Sequence, residues 1–175
     1  YQMYPAVLEF LGAAHQDMAE NIWDFMPNEQ QEGNTPLRKK VFAMEHLRYH
    51  VNVLVDHDGK TGVPVLYEDN PTLQNVIGRI EHIAQMGTLV TNFSLIKPGA
   101  LHRANGGYLV LDARKVLMNS FVWDALKRAI RSREIRIESI ERILSMVSTT
   151  SLEPEPITLD VKIVLVGDRY IYHLL

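Results

Sequence analysis

Apolar residues in the first stretch of the chain recur at alternating steps of four and three: Tyr4, Leu8, Leu11, Met18, Ile22 and Phe25, with His15 on the same line. This heptad-like seam predicts a helix over 4–26 with one apolar face. Pro5 is tolerated in a first turn, and Pro27 ends the helix. His15 reads as a packed, hydrogen-bonded residue rather than a ligand. Residues 27–36 are polar with proline at both ends, and read as a linker or disordered loop. A short helix is predicted over 37–47, with Val41, Met44 and Leu47 on one face. The rhythm then changes to alternation over 49–55, with Val51, Val53 and Val55 on one side. Asp58-Gly59 reads as a turn and 63–67 as a second strand, so 51–67 is predicted to be a hairpin. Asn70-Pro71 breaks it. Leu73, Val76, Ile77, Ile80 and Ile83 form a stripe that predicts a helix over 72–83. Gln85-Met86-Gly87 interrupts the pattern, and 90–96 is a strand candidate.

The rest of the chain is organised around the stretch Ile96–Arg114. A turn-rich loop runs into Gly106-Gly107, then the apolar run Tyr108–Leu111, then Asp112. Such a run reads as a strand buried on both faces, as in a parallel sheet. Ligands of open α/β sheets sit beyond the carboxyl ends of such strands, where Asp112 lies. The plainer reading of Asp112 is the N-cap of the next helix. That helix is predicted over 116–132, with Val122, Trp123, Leu126 and Ile130 buried. Residues 133–138 alternate as a strand, 140–150 fit either a short helix or a strand, and Glu153-Pro154-Glu155-Pro156 is a stiff exposed loop. A second apolar strand, 161–166, is followed by Gly167-Asp168, and 170–175 begins a helix. Strand–helix–strand in this order is a βαβ crossover. It would bring Asp112 and Asp168 to one edge of a parallel sheet.

Composition narrows the chemistry. The 175 residues carry a net charge of −3, so no global basic field calls for nucleic acid. Cysteine is absent, which removes disulfides and thiolate metal sites and fits a cytoplasmic chain. No apolar run approaches the roughly 18 residues that span a bilayer, and no signal peptide is visible. His46 and His50 stand four apart with Asp56, His57 and Asp58 beyond them. The predicted helix ends between the two histidines and there is no HExxH pattern, so no metal centre is expected. The chain begins at Tyr1 and stops at Leu174-Leu175, and is expected to be a piece of a longer protein.

Residues 93–112 resemble the AAA+ module of Lon-like proteases. The run Pro98-Gly99-Ala100-Leu101-His102-Arg103-Ala104-Asn105-Gly106-Gly107, leading into a strand that closes on Asp112, is similar to the approach to the Walker B strand in that family. Outward matches extend the likeness over roughly 50–175. The 4–26 helix resembles the insertion that LonB/LonC-type members carry between Walker A and Walker B. The resemblance implies a partial P-loop NTPase (AAA+)-like α/β fold over 37–175, with a helical insertion segment and linker over 1–36. It implies a parent with ATP and Mg²⁺, a ring-shaped homo-oligomer (a hexamer), protein substrates, and a Ser–Lys endopeptidase domain further along. By position, Asp112 would hold Mg²⁺ and Asp168 would occupy the sensor-1 place. Met86 and Gly87 would lie in the substrate-gripping pore loop.

This sequence departs from the family at three points. Walker B continues with Ala113 where a water-orienting glutamate is usual. Sensor 1 is Asp168 where asparagine is usual. No Gly-x-x-x-x-Gly-Lys-Ser/Thr phosphate loop and no protease nucleophile occur in the chain. The chain alone is therefore expected to be inactive as an ATPase and as a peptidase, and a degenerate scaffold for ring assembly and gating stands as the alternative. Lys127, Arg128, Arg131, Arg133 and Arg136 cluster at a predicted helix end. They read either as a solvated end favoured by the helix dipole or as a subunit interface, with Arg131 and Arg133 as its candidates. No aromatic residues interleave them, which argues against nucleic acid.

Overall fold

The predicted N-terminal helix forms, but no residue of its seam is buried. The computed structural model describes residues 4–25, 47–59, 61–85, 88–137 and 152–173. Contacts divide the chain into two units, Tyr1–Val51 and Asn52–Leu175. In the first, α1 (Pro5–Glu20) starts on Pro5 and passes into a 3-10 turn at Ile22–Phe25, short of the predicted end at 26. No residue of α1 is buried. On its polar side Asp17 accepts from the Asn21 amide at 3.0 Å, pairs with Arg48 at 3.0 Å and accepts from the Tyr49 hydroxyl. The predicted linker 27–36 and all of the 37–47 helix but Leu47 lie outside the described residues.

The second unit holds, in chain order, β1 (Val65–Glu68), α2 (Leu73–Ile77), β2 (Arg79–Ile80), β3 (Ile83–Gln85), β4 (Thr88–Val90), β5 (Ile96–Lys97), α3 (Ala100–Arg103) and β6 (Tyr108–Asp112). It continues with α4 (Ala113–Met118), α5 (Ser120–Ser132), β7 (Glu134–Ile135), β8 (Ile157–Thr158), β9 (Lys162–Val166) and α6 (Arg169–Tyr172). β1, β6 and β9 form one sheet in that order, and both pairings are parallel. The crossover expected between 108 and 166 is thus present. The predicted hairpin over 51–67 is not. Residues 51–59 contain no strand, the Asn52 amide instead donates to the Phe93 and Ile96 carbonyls at 2.8 and 3.1 Å, and β1 takes β6 as its partner.

Other boundaries move for identifiable reasons. The predicted 72–83 helix keeps its start, where the Thr72 hydroxyl accepts from the Asn75 N–H, but stops at Gly78. That residue has φ +93°, and a Cβ on it would sit 2.7 Å from the Lys97 carbonyl oxygen. Ile80 then pairs with Ile96 in the β2–β5 ladder, so the apolar stripe continues into a strand. The predicted 90–96 strand is divided by a 3-10 turn at Phe93–Leu95, and the predicted 116–132 helix begins at Ala113 and is divided at Asn119. Val122 and Leu126 are buried as expected, whereas Ile130 is exposed. The predicted 133–138 strand is reduced to β7 within the described residues, and 140–150 lies outside them.

Among the described residues, only one face of the sheet is covered. Leu109 and Leu111 of β6 are fully buried with Leu101, Val116, Val122 and Leu126. The opposite face carries Val65, Tyr67, Tyr108, Val164 and Val166, all exposed. The expectation of strands buried on both faces is corrected accordingly. Burying the apolar area of Leu109 and Leu111 contributes about 1.5–3 kcal/mol each. At the amino end of the sheet the Asn105-Gly106-Gly107 turn clamps all three strands. Asn105 donates to the Thr158 carbonyl at 2.9 Å and accepts from the Asp160 N–H at 2.8 Å. The Gly106 N–H donates to the Asp160 carbonyl at 2.7 Å, Tyr108 N–H to Pro64 at 2.8 Å, and Lys162 N–H to Gly107 at 2.9 Å.

Candidate functional site

Parallel pairing carries the strand ends to a common rim. Glu68 of β1 is opposite Leu111, and Asp112 is opposite Val166. Asp168 follows Val166 by two residues, so Asp112 and Asp168 both lie at the carboxyl ends of neighbouring strands. β1 delivers two further acids to the same edge, Glu68 and Asp69. Sequence reasoning misses these, because it assigns 63–67 to a hairpin. The signal is present all the same: an apolar run ending on an acid, as in the other two strands.

Three of these four carboxylates are engaged by the protein itself. Glu68 pairs with Arg103 at 3.0 Å. Asp69 accepts from the Lys115 ammonium at 2.7 Å, and the same ammonium bonds the Asp69 backbone carbonyl at 2.7 Å. The Asp69 carboxylate beside it holds the Lys115 ammonium above the ordinary lysine range, with a smaller contribution from Asp112. Asp112 is the N-cap of α4, and its Oδ1 accepts from the Lys115 backbone N–H at 3.0 Å. Asp168 is exposed and precedes α6 without a side-chain capping bond. Ala113 is only 2% exposed. A Cβ built on Gly167 would lie 3.1 Å from the Ala113 methyl, so the first residue of α4 sits under the loop that leaves β9. Among the described residues, no three His, Cys, Asp or Glu side chains come close enough to hold a metal ion. His50 and His57 are exposed, and His46 lies outside the described residues.

The run before β6 contributes a buried titratable group. His102 is 4% exposed, and its Nδ1 accepts from the Gly99 N–H at 3.2 Å. A donor on that nitrogen is incompatible with this bond, so the proton is carried on Nε2. Burial pushes the imidazole down to about 4 from the usual 6.5. The folded state therefore binds this proton less readily than the unfolded chain. The stability it contributes is complete above pH 6.5 and is lost as pH falls toward 4. The expected loss is about 3 kcal/mol. Urea denaturation between pH 7 and 4 should show it, and His102→Gln should flatten that part of the pH profile.

Arg131 and Arg133 take different parts. Arg133 caps α5 in the left-handed conformation at φ 55°, which lets the chain turn into β7. Arg131 is exposed beside a cavity of about 400 Å³ floored by Ile77, Leu101 and Ile135. Met86 and Gly87 lie outside the described residues; the strands flanking them, β3 and β4, pair antiparallel with Gln85 opposite Thr88. No helix among the described residues is long and apolar enough to cross a membrane.

No curated protein matches the chain. Residues 61–175, about two-thirds of it, match the family model described as LonB-like, AAA domain.

Proposed function

The chain belongs to the LonB-like AAA domain family, and from that premise we propose that it serves as the AAA+-type module of a Lon-like serine endopeptidase, assembling a ring and passing protein substrate to a Ser–Lys protease domain. The observation that carries this reading is the side-by-side parallel pairing of β6 and β9, whose carboxyl ends lead to Asp112 and Asp168. Ring assembly is supported by two surfaces. The outer edge of β9 is unpaired among the described residues, and the sheet face bearing Val65, Tyr67, Val164 and Val166 is uncovered. Parallel sheets normally have both faces covered. Arg131 and Arg133 remain the candidates for contact with a neighbouring subunit, in a hexamer by family analogy. Met86 and Gly87 remain the candidates for substrate contact. The strands that flank them in sequence expose Ile83 at 53% and Leu89 at 68%, apolar side chains suited to an unfolded polypeptide.

Within this module we favour a gating role over ATP hydrolysis. The residues present do not fit a hydrolytic Mg²⁺–ATP site. Ala113 offers no carboxylate and is buried, Asp112 is occupied as a helix cap, and the acids of β1 hold cations from the chain itself. The test is degradation of an unfolded protein by the full-length parent, with and without ATP. Proteolysis is expected to persist without ATP and in Asp112→Asn. Proteolysis that requires ATP and disappears in Asp112→Asn would establish the nucleotide-driven role instead.

A further inference from the structure

We propose that the Lys115 ammonium, bound to Asp69, supplies at this rim the positive charge that a divalent cation would supply near a Walker B aspartate, so that the edge of the sheet is held by an internal cation and not by a metal. Lys115 is placed for this by three contacts. Its ammonium bonds both the side chain and the backbone carbonyl of Asp69 at 2.7 Å, and its own backbone N–H is capped by Asp112 at 3.0 Å. One residue thus joins the end of β1 to the end of β6 and the start of α4. The Arg103–Glu68 pair at 3.0 Å provides a second cation on the β1 side.

The energetics separate this role from simple stabilisation. The Lys115 side chain is 47% exposed and that of Asp69 75% exposed. Exposed pairs contribute only about 0–1 kcal/mol. The pair's larger effect is electrostatic exclusion. A second cation entering beside Asp112 meets the field of the ammonium, which Asp112 already feels although the two are not paired, and hard cations such as Mg²⁺ and Mn²⁺ need several oxygen ligands at once. Asp112 Oδ1 and Asp69 Oδ1 both accept from Lys115 groups, and among the described residues no three acidic or histidine side chains converge to complete a metal's ligand set.

This inference rests on reading the rim as non-hydrolytic, but its readout is metal occupancy and not proteolysis, so the two can fail separately. The probe is Mn²⁺ alone, followed by electron paramagnetic resonance on the whole chain. Wild type is expected to show no Mn²⁺ binding that depends on Asp112. Lys115→Met, at an exposed position that leaves the fold intact by near-UV circular dichroism, is expected to bind Mn²⁺ on the order of tenfold more tightly. Adding Asp112→Asn to that variant should abolish the gain, and Lys115→Arg should behave as wild type. Wild-type binding that vanishes in Asp112→Asn would overturn the proposal. So would a Lys115→Met variant that binds no more tightly than wild type.

Discussion

Gly107→Ala is expected to abolish stable pairing between β1 and β6. A Cβ at this position would lie 1.9 Å from the Pro64 carbonyl oxygen and 2.9 Å from both its carbonyl carbon and its Cδ. The obstacle is mainly backbone, not the flexible end of a side chain. That oxygen also accepts the Tyr108 N–H at 2.8 Å, the first bond joining the two strands. Moving Pro64 away to admit a methyl group would break this bond and displace Val65 from Tyr108. Gly107 is itself buried, and its carbonyl accepts from Lys162, so the disturbance reaches β9 as well. A loss of about 4 kcal/mol or more is expected, in the range reserved for a broken core contact. Gly106→Ala is the informative control. Its φ is +82° but no heavy atom lies within 4 Å of the added Cβ, so only the left-handed backbone is penalised, at about 1–2 kcal/mol. Urea denaturation of the two variants should rank them in that order. Equal losses would mean that close approach to Pro64 is not what position 107 requires.

Ala113→Glu is expected to destabilise the chain without producing ATPase activity. In Lon-like sequences a glutamate after the Walker B aspartate orients water, so this substitution looks like a repair. The structure gives it no room. Ala113 is 2% exposed and its methyl faces Gly167 closely enough that even a Cβ there would sit at 3.1 Å. A glutamate must either bury its carboxylate or push apart α4 and the loop after β9. An acid in the first turn of a helix gains about 0.3–1 kcal/mol from the helix dipole. Burying an unpaired carboxylate costs several kcal/mol even after relaxation. The net expectation is a loss of about 3 kcal/mol, measured by urea denaturation beside the exposed neighbour Arg114→Glu, which should change stability by less than about 0.5 kcal/mol. A variant as stable as wild type that hydrolyses ATP would show that the rim opens more than this structure indicates.

The two predictions use different parts of the fold that are legible in the sequence. The β6 and β9 strands can be read directly, because a short apolar run bounded by glycine and an acid has few other interpretations. Their shared rim follows from the handedness and adjacency of a crossover. The hairpin reading of β1 fails because its partner, Tyr108, is more than forty residues away, and the valines of 51–55 offer a nearer one. Local alternation does not distinguish those two partners. The 72–83 stripe reads as one helix because Leu73, Val76, Ile77, Ile80 and Ile83 fit a helical face. What ends it is contact between Gly78 and Lys97, invisible to a helical period. At the rim Asp112 and Asp168 are legible, whereas Glu68, Asp69 and the cations that hold them are not. Lys115 and Arg103 meet Asp69 and Glu68 across 46 and 35 residues, and nothing in the local pattern of either partner marks the other. The burial of His102 within α3 is hidden from the sequence for the same reason.

The Asn105 clamp has a consequence for how the sheet assembles. β9 reads Lys-Ile-Val-Leu-Val, apolar on both sides, so sliding it one position along β6 would exchange Ile163 and Leu165 for Val164 and Val166 with little change in oiliness. Its own side chains therefore do little to choose the alignment. That choice falls to the amide of Asn105, which grips the chain at Thr158 and Asp160 just before the strand begins. The register that sets Asp112 opposite Val166 is in this sense fixed at the far end of the strands, by an uncharged side chain.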